Sequence, residues 1–275
     1  MVAKTVVVIP TYNERETVAS LVEAVLCCQN ELRDFSLNVL VVDSGSPDGT
    51  QEAVKKLAQR DSRIQLLQVG ERGLGLALMK GYEWAVRSMG ADVIAQMDAD
   101  FSHDPRDLPK ILNSLAESYD LVIGSRYIKG GATRDWPVIR RLLSKGANLA
   151  IRLITGVWRV REWTSGYRAF TADLYQRLDL QRVVCPDYTF VPALVYEAIS
   201  KGARVKEVPI LFVNRYFGDS KLPATRYTLN LLRHFLLASL RNRRARLHRT
   251  SEGACAAQSN AGGGQPQAGV GGDGS

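Results

Sequence analysis

The stretch TVVVIPTYNERE, residues 5–16, joins an unbroken apolar run to a polar loop. A run that is apolar at every position predicts a strand buried on both of its faces. Similar runs follow along the chain, and segments with helical spacing separate them. The predicted strands are 5–9, 37–42, 64–69, 93–97 and 121–123, and the predicted helices are 16–29, 50–60, 75–89 and 106–118. This alternation predicts an α/β fold with a mainly parallel, doubly wound sheet that helices cover on both faces.

A polar motif follows each of these predicted strands. In chain order the motifs are PTYNERE from residue 10, DSGSPDGT from 43, GERGLG from 70, DADFSH from 98 and GSRY from 124. Ligands of open α/β sheets bind at the edge where the carboxyl ends of parallel strands meet, so one shared site is predicted. Beyond the fifth motif we predict helices at 138–155 and 187–202, an extended piece at 164–170 and a strand at 204–213.

The chain of 275 residues carries a formal charge of +8, with a sequence pI near 9.4. Such an excess suits nucleic acid, anionic lipid or phosphorylated small molecules, and five arginines cluster at 241–249. The four cysteines show no CxxC spacing, so a disulfide framework and a zinc site are not expected and a reducing, cytosolic environment is favoured. The N-terminal apolar run is too short for a signal peptide, and no apolar stretch of about 18 residues predicts a membrane span.

Asp98 and Asp100 stand one residue apart at the end of the fourth predicted strand. Carboxylates this close repel each other unless a positive group lies between them. Mg²⁺ and Mn²⁺ prefer oxygen ligands and commonly bridge one or two carboxylates to substrate phosphates. The other interpretation is ordinary turn chemistry, in which aspartate is common. Asp104 precedes Pro105 and is predicted to cap a helix, and His103 is predicted to be a loop residue.

Asp43 begins the second motif, at a strand end where acids of nucleotide-binding folds accept hydrogen bonds from a ribose or a base. Residues 46–49 are a turn signal, and Asp48 is a candidate cap for the next helix. The glycines of GERGLG fit neither a P-loop nor the GxGxxG pattern. That loop is therefore either an approach to an anion at a helix N-terminus or a simple connection.

Several cations outside the C-terminal cluster stand beside glycine, serine or aromatic residues. They are Arg126, Arg140, Arg168, Arg215 and Lys221. Arginine binds phosphate oxygens in a bidentate manner, so the group suits a phosphorylated ligand. Taken singly, each is also explained as a solvated or salt-bridged surface residue.

Residues 224–240 are predicted to form a helix with a broad apolar arc, and the arginine cluster follows it. A basic amphipathic helix suits a membrane surface with anionic lipid. The alternative is a helix packed on the domain. Nucleic acid is less well supported, because aromatic and glycine interleaving is absent. The glycine-rich tail from 251 has almost no large apolar residue and is predicted to be disordered.

The order of these motifs resembles a known family. Together with RRLLSKGAN at 140–148, TSGYR at 164–168 and EVPILFVNRYFGDSKL at 207–222, they occur as in dolichol-phosphate mannosyltransferases, inverting glycosyltransferases of family 2 with the GT-A fold. The resemblance covers roughly residues 5–240. Together with the helix and tail patterns described above, it predicts three parts: a GT-A catalytic domain at 1–222, a basic amphipathic membrane-interface helix at 223–249 and a disordered tail at 250–275.

The resemblance also implies a reaction and a location. Mannose would pass from GDP-mannose to a dolichyl or polyprenyl phosphate with inversion, in the presence of Mg²⁺ or Mn²⁺. The enzyme would be peripheral, on the cytosolic face of the endoplasmic reticulum or of a bacterial inner membrane. It would reach that membrane through 224–249 or through a small membrane-anchoring subunit, and no nucleic acid partner is expected.

Site residues carry over by position in the motifs. The implied nucleotide contacts are Pro10, Tyr12 and Glu14, and those lining the base and ribose are Val42, Asp43 and Ser44. The implied diphosphate and metal contacts are Asp98, Ala99 and Asp100, with Ser102 as a third metal ligand. The implied ligands of donor diphosphate or acceptor phosphate are Arg126, Arg215 and Lys221. These three cations and Asp100 form the predicted catalytic set.

Three positions depart from the family pattern. Ser44 stands where a second acid is usual, Glu162 replaces an aspartate before TSG, and Gly73 stands where a lysine often precedes GLG. The choice of nucleotide and sugar is therefore less firmly implied than the fold. One alternative is transfer of glucose or another sugar to a polyprenyl phosphate. The other is a binding subunit that keeps the GT-A fold without turnover.

Overall fold

The computed structural model describes residues 2–183, 187–214, 231 and 233–237. Within these ranges the strands are β1 (Ala3–Thr11), β2 (Phe35–Asp43), β3 (Ile64–Gln68), β4 (Val93–Gln96), β5 (Leu121–Ser125), β6 (Ala132–Arg134), β7 (Arg168–Thr171), β8 (Val205–Pro209) and β9 (Leu211–Val213). The helices in the same ranges are α1 (Arg15–Cys27), α2 (Thr50–Ala58), α3 (Leu74–Arg87), α4 (Leu108–Ala116), α5 (Val138–Thr155), α6 (Ala172–Arg177), α7 (Leu180–Val183) and α8 (Phe190–Ser200). The short piece at 231 and 233–237 is also helical.

In the described part of the chain, seven strands form one sheet in the order β3-β2-β1-β4-β7-β5-β8. Neighbouring strands are parallel, except that β7 runs antiparallel to both β4 and β5. Strands β6 and β9 pair separately as a parallel two-stranded ribbon. The prediction of an α/β fold with a mainly parallel sheet is confirmed.

The apolar strands contribute side chains to two hydrophobic cores, one on each face of the sheet. In β1, Val6 and Val8 belong to one core while Val7 and Ile9 belong to the other, and all four are completely buried. The division follows from the two-residue period of a strand. Helices α3, α5 and α8 contribute to the first core, and α1, α2 and α4 contribute to the second. Burial on both faces is the reason why the strand sequences are apolar at every position.

The predicted strands and helices of the first half are confirmed, with shifted ends. Helix α4 begins at Leu108 because residues 105–107 form a 3₁₀ turn. Asp104 caps that turn, since its Oδ1 accepts the backbone N–H of Arg106 at 3.0 Å. The capping role predicted for Asp104 is therefore confirmed.

The second half agrees less closely with the sequence pattern. The helix predicted at 138–155 is α5, whereas the helix predicted at 187–202 is α8 and begins three residues later. The extended piece predicted at 164–170 becomes a strand only from Arg168. These shifts occur where the apolar spacing is least regular.

The single strand predicted at 204–213 is wrong, because β8 and β9 belong to different sheets. Ile210 lies between them and makes the break. It donates its N–H to Ser125 O at 3.1 Å and accepts the N–H of Ala132 at 3.0 Å. These two bonds connect Ile210 first to the end of β5 and then to β6. The next strand, β9, therefore pairs with β6 instead of continuing the main sheet.

Several predictions concern residues outside the described ranges. Arg215 and Lys221 lie there, as do the tail at 250–275 and all but residues 231 and 233–237 of the helix predicted at 223–249. Those predictions stay predictions. Among the helices that the structure describes, none has the length and apolar character needed to span a membrane.

Candidate active site

The carboxyl ends of β1 and β4 are neighbours in the sheet, and the chain order reverses between them. Strands β2 and β3 extend the sheet on the β1 side, whereas β5 lies on the β4 side. In open α/β sheets, ligands bind in the crevice at such a reversal. The motifs that follow β1 to β5 therefore meet at one edge, as the sequence predicts.

The loops after β1 and β2 are joined by hydrogen bonds from backbone to side chain. Asn13 donates its N–H to Ser46 Oγ at 2.9 Å, and Glu14 donates its N–H to Thr50 Oγ1 at 3.0 Å. Side chains that follow β2 thus supply acceptors for amides that the loop after β1 would otherwise leave unsatisfied. Asn13 also has a positive φ of 57°, a conformation that asparagine tolerates better than most residues. Hydrogen bonds thus join the two loops on this side of the crevice without a ligand.

Asp43 is completely buried and already accepts several hydrogen bonds. Its Oδ1 accepts the backbone N–H of Gly45 at 3.1 Å and that of Ser46 at 2.9 Å, as well as Gln51 Nε2 at 2.6 Å. Its Oδ2 accepts the Thr11 hydroxyl at 3.1 Å and the Ser46 hydroxyl. Asp43 therefore holds the second loop in shape, and its contact with a ribose or base stays a prediction.

Val42 and Ser44, which flank Asp43, are also buried. The Val42 side chain packs against helix α3 at Gly81, where an added Cβ would lie 2.8 Å from Val42 Cγ2. Ser44 donates its N–H to Thr11 O at 3.0 Å. Both residues hold the strand ends together, and the nucleotide contacts implied for them stay predictions.

Tyr12 carries a cation over its ring. The Arg72 guanidinium lies 4.2 Å from the ring centroid, so the loops after β1 and β3 meet there. Arg72 immediately precedes Gly73, the position at which the family pattern often has a lysine. The structure therefore places a positive charge beside Tyr12, where the family resemblance implies a nucleotide contact.

Asp98 and Asp100 follow β4 and differ in exposure. Asp100 is 4% exposed, and its Oδ1 accepts the Ser102 N–H at 3.1 Å and the Ser102 hydroxyl at 2.6 Å. The Asp98 side chain is 36% exposed. One carboxylate is fixed below the surface, and the other reaches solvent. Ala99 between them is buried in the core. Ser102 orients Asp100, and its implied role as a metal ligand stays a prediction.

His103 has a structural role that the sequence did not reveal. It is completely buried, and its Nδ1 accepts the backbone N–H of Asp98 at 3.1 Å. Its ring packs against Tyr167 and Phe212, at centroid distances of 5.0 and 5.2 Å. Burial lowers the pKa of His103 to about 3 against the opposing charge of Asp100, so the imidazole is neutral. A neutral ring can keep accepting the Asp98 N–H. This bond holds in place the loop after β4 that carries Asp98 and Asp100, which we call the DxD loop.

The TSG motif closes against the same loop. A Cβ added at Gly166 would lie 3.0 Å from Asp98 Oδ1 and 3.2 Å from Gln96 Nε2. At these distances the Asp98 or Gln96 side chain would have to shift by a few tenths of an ångström. Glycine lets the two motifs approach closely without that shift.

The donor set at Asp98 and Asp100 can be compared with the needs of a divalent cation. In the described ranges, no group of three or more His, Cys, Asp or Glu side chains is placed to hold a metal ion. Two carboxylates suffice for Mg²⁺ or Mn²⁺ when substrate phosphates and water supply the remaining ligands. The site therefore fits a cation that binds together with a diphosphate.

Arg126 forms a buried, bidentate ion pair with Glu162. Its Nε donates to Oε2 at 2.7 Å, its Nη2 to Oε1 at 2.8 Å, and Nη2 also donates to Thr164 Oγ1 at 2.9 Å. Burial alone would raise the pKa of Glu162, but the Arg126 charge and these hydrogen bonds outweigh it and hold the pKa below its usual value. Glu162, the departure noted in the sequence, is thus ionised and fixes Arg126.

Aromatic rings surround the Arg126 guanidinium and connect it to the DxD loop. The ring centroids of Tyr127, Trp136 and Phe212 lie 5.1 to 5.3 Å from Cζ. Phe212 also packs edge-on against His103. The same aromatic side chain therefore touches the cation and the residue that holds Asp98.

A groove of about 580 Å³ opens beside Arg126, between the loop after β5 and helix α5. It is lined by Arg126, Tyr127, Ile128, Gly131, Lys145, Asn148, Leu149, Arg152 and Arg161. Within the described residues this lining contains four cations and no carboxylate, so it suits an anion. Lys145, Arg152 and Arg161 were missed from sequence, because each is one basic residue among many.

The other cations singled out from sequence have different surroundings. Arg168 is completely buried and donates to the carbonyls of Ser165 and Val191, which makes it structural. Arg140 lies 4.3 Å from the Trp136 ring centroid and donates to Asn214 Oδ1 at 3.1 Å. Neither lines the groove.

A crevice at the carboxyl ends of the strands, with a DxD loop and an adjacent cationic groove, is typical of an α/β enzyme that acts on phosphorylated ligands. Residues 6–183 match the model of the family described as glycosyl transferase family 2. The chain belongs to that family and is a glycosyltransferase with the GT-A fold.

Three relatives with assigned functions are named as enzymes that attach mannose to a polyprenol, undecaprenyl or dolichol phosphate. The chain is 41% identical over 223 residues to polyprenol monophosphomannose synthase of Mycolicibacterium smegmatis, covering 80% of this chain and 81% of that protein. It is 36% identical over 246 residues to undecaprenyl-phosphate mannosyltransferase of Micrococcus luteus, covering 87% and 97%. It is 33% identical over 222 residues to dolichol-phosphate mannosyltransferase of Pyrococcus furiosus, covering 80% of this chain and 59% of that protein. The resemblance drawn from the motifs is confirmed.

Solved structures of glucosyl-3-phosphoglycerate synthase from Mycobacterium tuberculosis share the fold. The complex with Mn²⁺, UDP and glucosyl-3-phosphoglycerate has a TM-score of 0.61 at 18% identity, covering 86% of this chain and 80% of that one. The complex with Mg²⁺ and UDP has a TM-score of 0.62 at 20% identity, covering 86% and 79%. At this identity the likeness shows the GT-A fold alone.

Proposed function

We propose that this protein transfers mannose from GDP-mannose to a polyprenyl or dolichyl phosphate, with inversion at the anomeric carbon. The observation that carries the proposal is the cationic groove beside the DxD loop. The centroid of the Phe212 ring lies 5.3 Å from Cζ of Arg126 in the groove and 5.2 Å from the ring centroid of His103 in the loop. A donor diphosphate and an acceptor phosphate would therefore lie close to each other. The names of the relatives support mannose as the sugar and a polyprenyl phosphate as the acceptor.

The donor side uses residues that are already fixed. The interlocked loops after β1 and β2 would bind the nucleoside, with Pro10, Tyr12 and Glu14 as its contacts. Asp98 and Asp100 would hold Mg²⁺ or Mn²⁺, and such a cation stabilises charge on a leaving diphosphate. Ser102 keeps Asp100 in one orientation, and His103 keeps the backbone of Asp98 in place. Little reorganisation is then needed when the donor binds.

The acceptor side needs cations rather than a general base. A phosphate monoester is already ionised near neutral pH, so no proton must be removed before attack. Its oxygen would form the new bond to the anomeric carbon as the bond to the GDP oxygen breaks, giving a β-linked product from an α-linked donor. Arg126, Lys145 and Arg152 would hold the acceptor phosphate in line. Arg215 and Lys221 are further proposed phosphate ligands.

The acceptor also sets the location that we propose. A polyprenyl phosphate keeps its chain in a bilayer and its phosphate at the surface. The protein would therefore work as a peripheral protein at the cytosolic face of a membrane, of the endoplasmic reticulum or of a bacterium. The proposed routes to that surface are the segment 224–249 and a small anchoring subunit.

The decisive experiment is transfer of radiolabelled mannose from GDP-mannose to a polyprenyl phosphate, with and without a chelator. We expect lipid-linked mannose that is lost with the chelator and restored by Mg²⁺ or Mn²⁺. Transfer that continues unchanged in the chelator would contradict the role of Asp98 and Asp100.

A donor comparison tests the two alternatives. Efficient transfer from UDP-glucose and none from GDP-mannose would replace mannose by glucose, which the departures at Ser44 and Gly73 leave open. Binding of GDP-mannose without transfer or hydrolysis, in the presence of metal and acceptor, would support a binding subunit instead.

A further inference from the structure

Helix α5 leaves an apolar face in solvent. Of the eleven large apolar residues that are exposed in the described part of the chain, six lie on α5 and a seventh, Trp158, follows it. We call five of these six α5 residues, together with Trp158, the α5 surface: Val138, Ile139, Leu142, Leu149, Leu153 and Trp158. An exposed apolar cluster of this kind marks an interaction site more often than scattered apolar residues do.

The exposure follows from how the helix is packed. Val138, Leu142, Leu149 and Leu153 are spaced i, i+4, i+11 and i+15, which places them in one stripe of a helix with about 3.6 residues per turn. Val138, Leu142 and Leu153 are 67%, 60% and 62% exposed.

The opposite face of α5 is anchored in the domain. Ala147, Asn148 and Ile151 are buried, and Asn148 Oδ1 accepts the backbone N–H of Trp163 at 2.6 Å. The stripe is thus a fixed feature of a packed helix, and its apolar side chains are held outward.

Cations lie next to the stripe. Arg141, Lys145 and Arg152 share the i, i+4, i+11 spacing, one position away from the apolar row on the helix surface. Lys145 and Arg152 also line the anion groove. Helix α5 itself carries four basic residues and no acid. The apolar stripe, the cationic row and the groove therefore lie side by side.

Trp158 extends this arrangement beyond the end of the helix. Its side chain is exposed, and the Arg152 guanidinium lies 4.8 Å from its ring centroid. Arg152 Nη2 also donates to the Trp158 carbonyl at 3.3 Å. Tryptophan is typical of the boundary between acyl chains and water, and the arginine beside it suits anionic headgroups.

We propose that the α5 surface docks on an anionic lipid bilayer, with the apolar stripe among the upper acyl chains and the cationic row at the headgroups. Segment 127–161 contains eight cations and one acid, which complements an anionic surface. A second copy of this chain is the less favoured occupant, because it would bring like charges together. This inference rests on the proposed function only for its lipid acceptor, and it places membrane contact on α5 rather than on 223–249 alone.

The first test measures binding of the full-length protein to vesicles of phosphatidylcholine and phosphatidylglycerol in equal parts, without donor or acceptor. We expect Leu142→Glu with Leu153→Glu to weaken binding by at least about tenfold, because two charges would enter the apolar layer. The control is Val2→Glu with Gln59→Glu, which adds the same charge at exposed positions elsewhere and should bind as wild type does. Unchanged binding of the Leu142→Glu, Leu153→Glu variant would overturn the proposal.

A second measurement locates the contact without relying on those substitutions. Brominated lipids should quench tryptophan fluorescence, and Trp158→Phe should remove most of the quenching. Trp84→Phe is the matched control, since Trp84 is also exposed but its indole N–H donates to Gln65 in β3.

Charge reversal at Arg243 and Arg244 tests the competing hypothesis, in which the C-terminal segment binds the membrane. If it abolishes binding while the α5 double variant still binds, docking belongs to the C-terminal segment.

Transfer assays separate this inference from the proposed function. With a short, water-soluble prenyl phosphate and no bilayer, the α5 double variant should transfer mannose within about twofold of wild type. With acceptor in vesicles it should lose about tenfold. If wild type transfers to neither acceptor, the proposed function fails while the vesicle measurements still judge the α5 surface. Equal activity of variant and wild type on vesicles would contradict the docking.

Discussion

The loops after β1 and β2 and the region around α5 occupy the same edge of the sheet but are built differently. In the first, Asp43 and Ser46 satisfy the amides of their own and the neighbouring loop. In the second, the groove lining that the structure describes holds four cations and no carboxylate, and α5 exposes an apolar stripe. In the first region the hydrogen bonds are made without a ligand. In the second region we propose that a phosphate would bind the cations of the groove and that a membrane would cover the apolar stripe.

The largest expected effect concerns the loop between these two regions. Asp100→Asn should lower kcat about 10³-fold, equivalent to about 4 kcal/mol, because the amide lacks the charge that would hold a cation at the leaving diphosphate. The fold should persist, since Ser102 can still donate to the amide oxygen. Steady-state transfer assays at saturating GDP-mannose measure the change.

Asp104→Asn is the control for that variant. Asp104 belongs to the same loop but caps the 3₁₀ turn, so its substitution should leave kcat within about threefold of wild type, because a cap contributes only about 1 kcal/mol of stability. Equal losses for both variants would mean that the loop, rather than the Asp100 charge, is what the assay detects.

The buried ion pair is the next largest effect. Glu162→Ala should lower the free energy of unfolding by about 3 kcal/mol, because Arg126 would remain buried without its bidentate partner. Denaturant unfolding measures this value. Glu117→Ala is the matched control, since Glu117 is 59% exposed and its pair with Lys206 is a surface pair worth less than about 1 kcal/mol. Similar losses for both variants would contradict the strong dependence on burial.

The sequence predicted the fold well because its signals are local. Apolar runs predict β1 to β5, and the order of Asp104 and Pro105 predicts the capped turn. The break at Ile210 was missed, because it depends on hydrogen bonds to Ser125 and Ala132, which are far away in the chain.

The site was only partly predictable for the same reason. The spacing of Asp98 and Asp100 predicts a metal site, which stays a prediction. The role of His103 depends on Tyr167 and Phe212 from later segments, which no local pattern indicates. The pairing of Arg126 with Glu162 joins residues 36 positions apart. The groove forms only where the loop after β5 meets α5, so no single motif indicates Lys145 or Arg152.

A pair of substitutions separates the two regions directly. Asp43→Asn should lower the free energy of unfolding by about 1 to 3 kcal/mol, because an amide nitrogen cannot accept the hydrogen bonds that Asp43 now accepts. Arg152→Gln should change stability by less than about 1 kcal/mol, because the contacts of Arg152 with Trp158 lie at the protein surface. It should raise KM for the acceptor about tenfold and leave KM for GDP-mannose unchanged. The reverse pattern would contradict the division of the edge into a scaffold side and an acceptor side.

The smallest effect is a pH dependence that distinguishes two neighbouring acids. The pKa of Glu162 lies below its usual 4.5 in the folded protein, since the Arg126 charge outweighs burial. The folded state then binds fewer protons than the unfolded chain, so this contribution is present above pH 4.5 and is lost as pH falls through the folded pKa. Glu207 accepts the backbone N–H groups of Arg161 and Glu162, but burial raises its pKa above 4.5. Its effect has the opposite sign, because protonation of Glu207 stabilises the folded state.

Unfolding free energies of Glu162→Gln and Glu207→Gln between pH 7 and pH 3 therefore test whether the charge on Arg126 or burial alone controls each acid. The stability gap between wild type and Glu162→Gln should be constant near neutral pH and shrink in acid. The gap for Glu207→Gln should move the other way, in favour of wild type as pH falls. If both gaps moved in favour of wild type as pH fell, burial would dominate at both positions. Arg126 would then not be the partner that keeps Glu162 ionised, and the groove would lose its fixed cation.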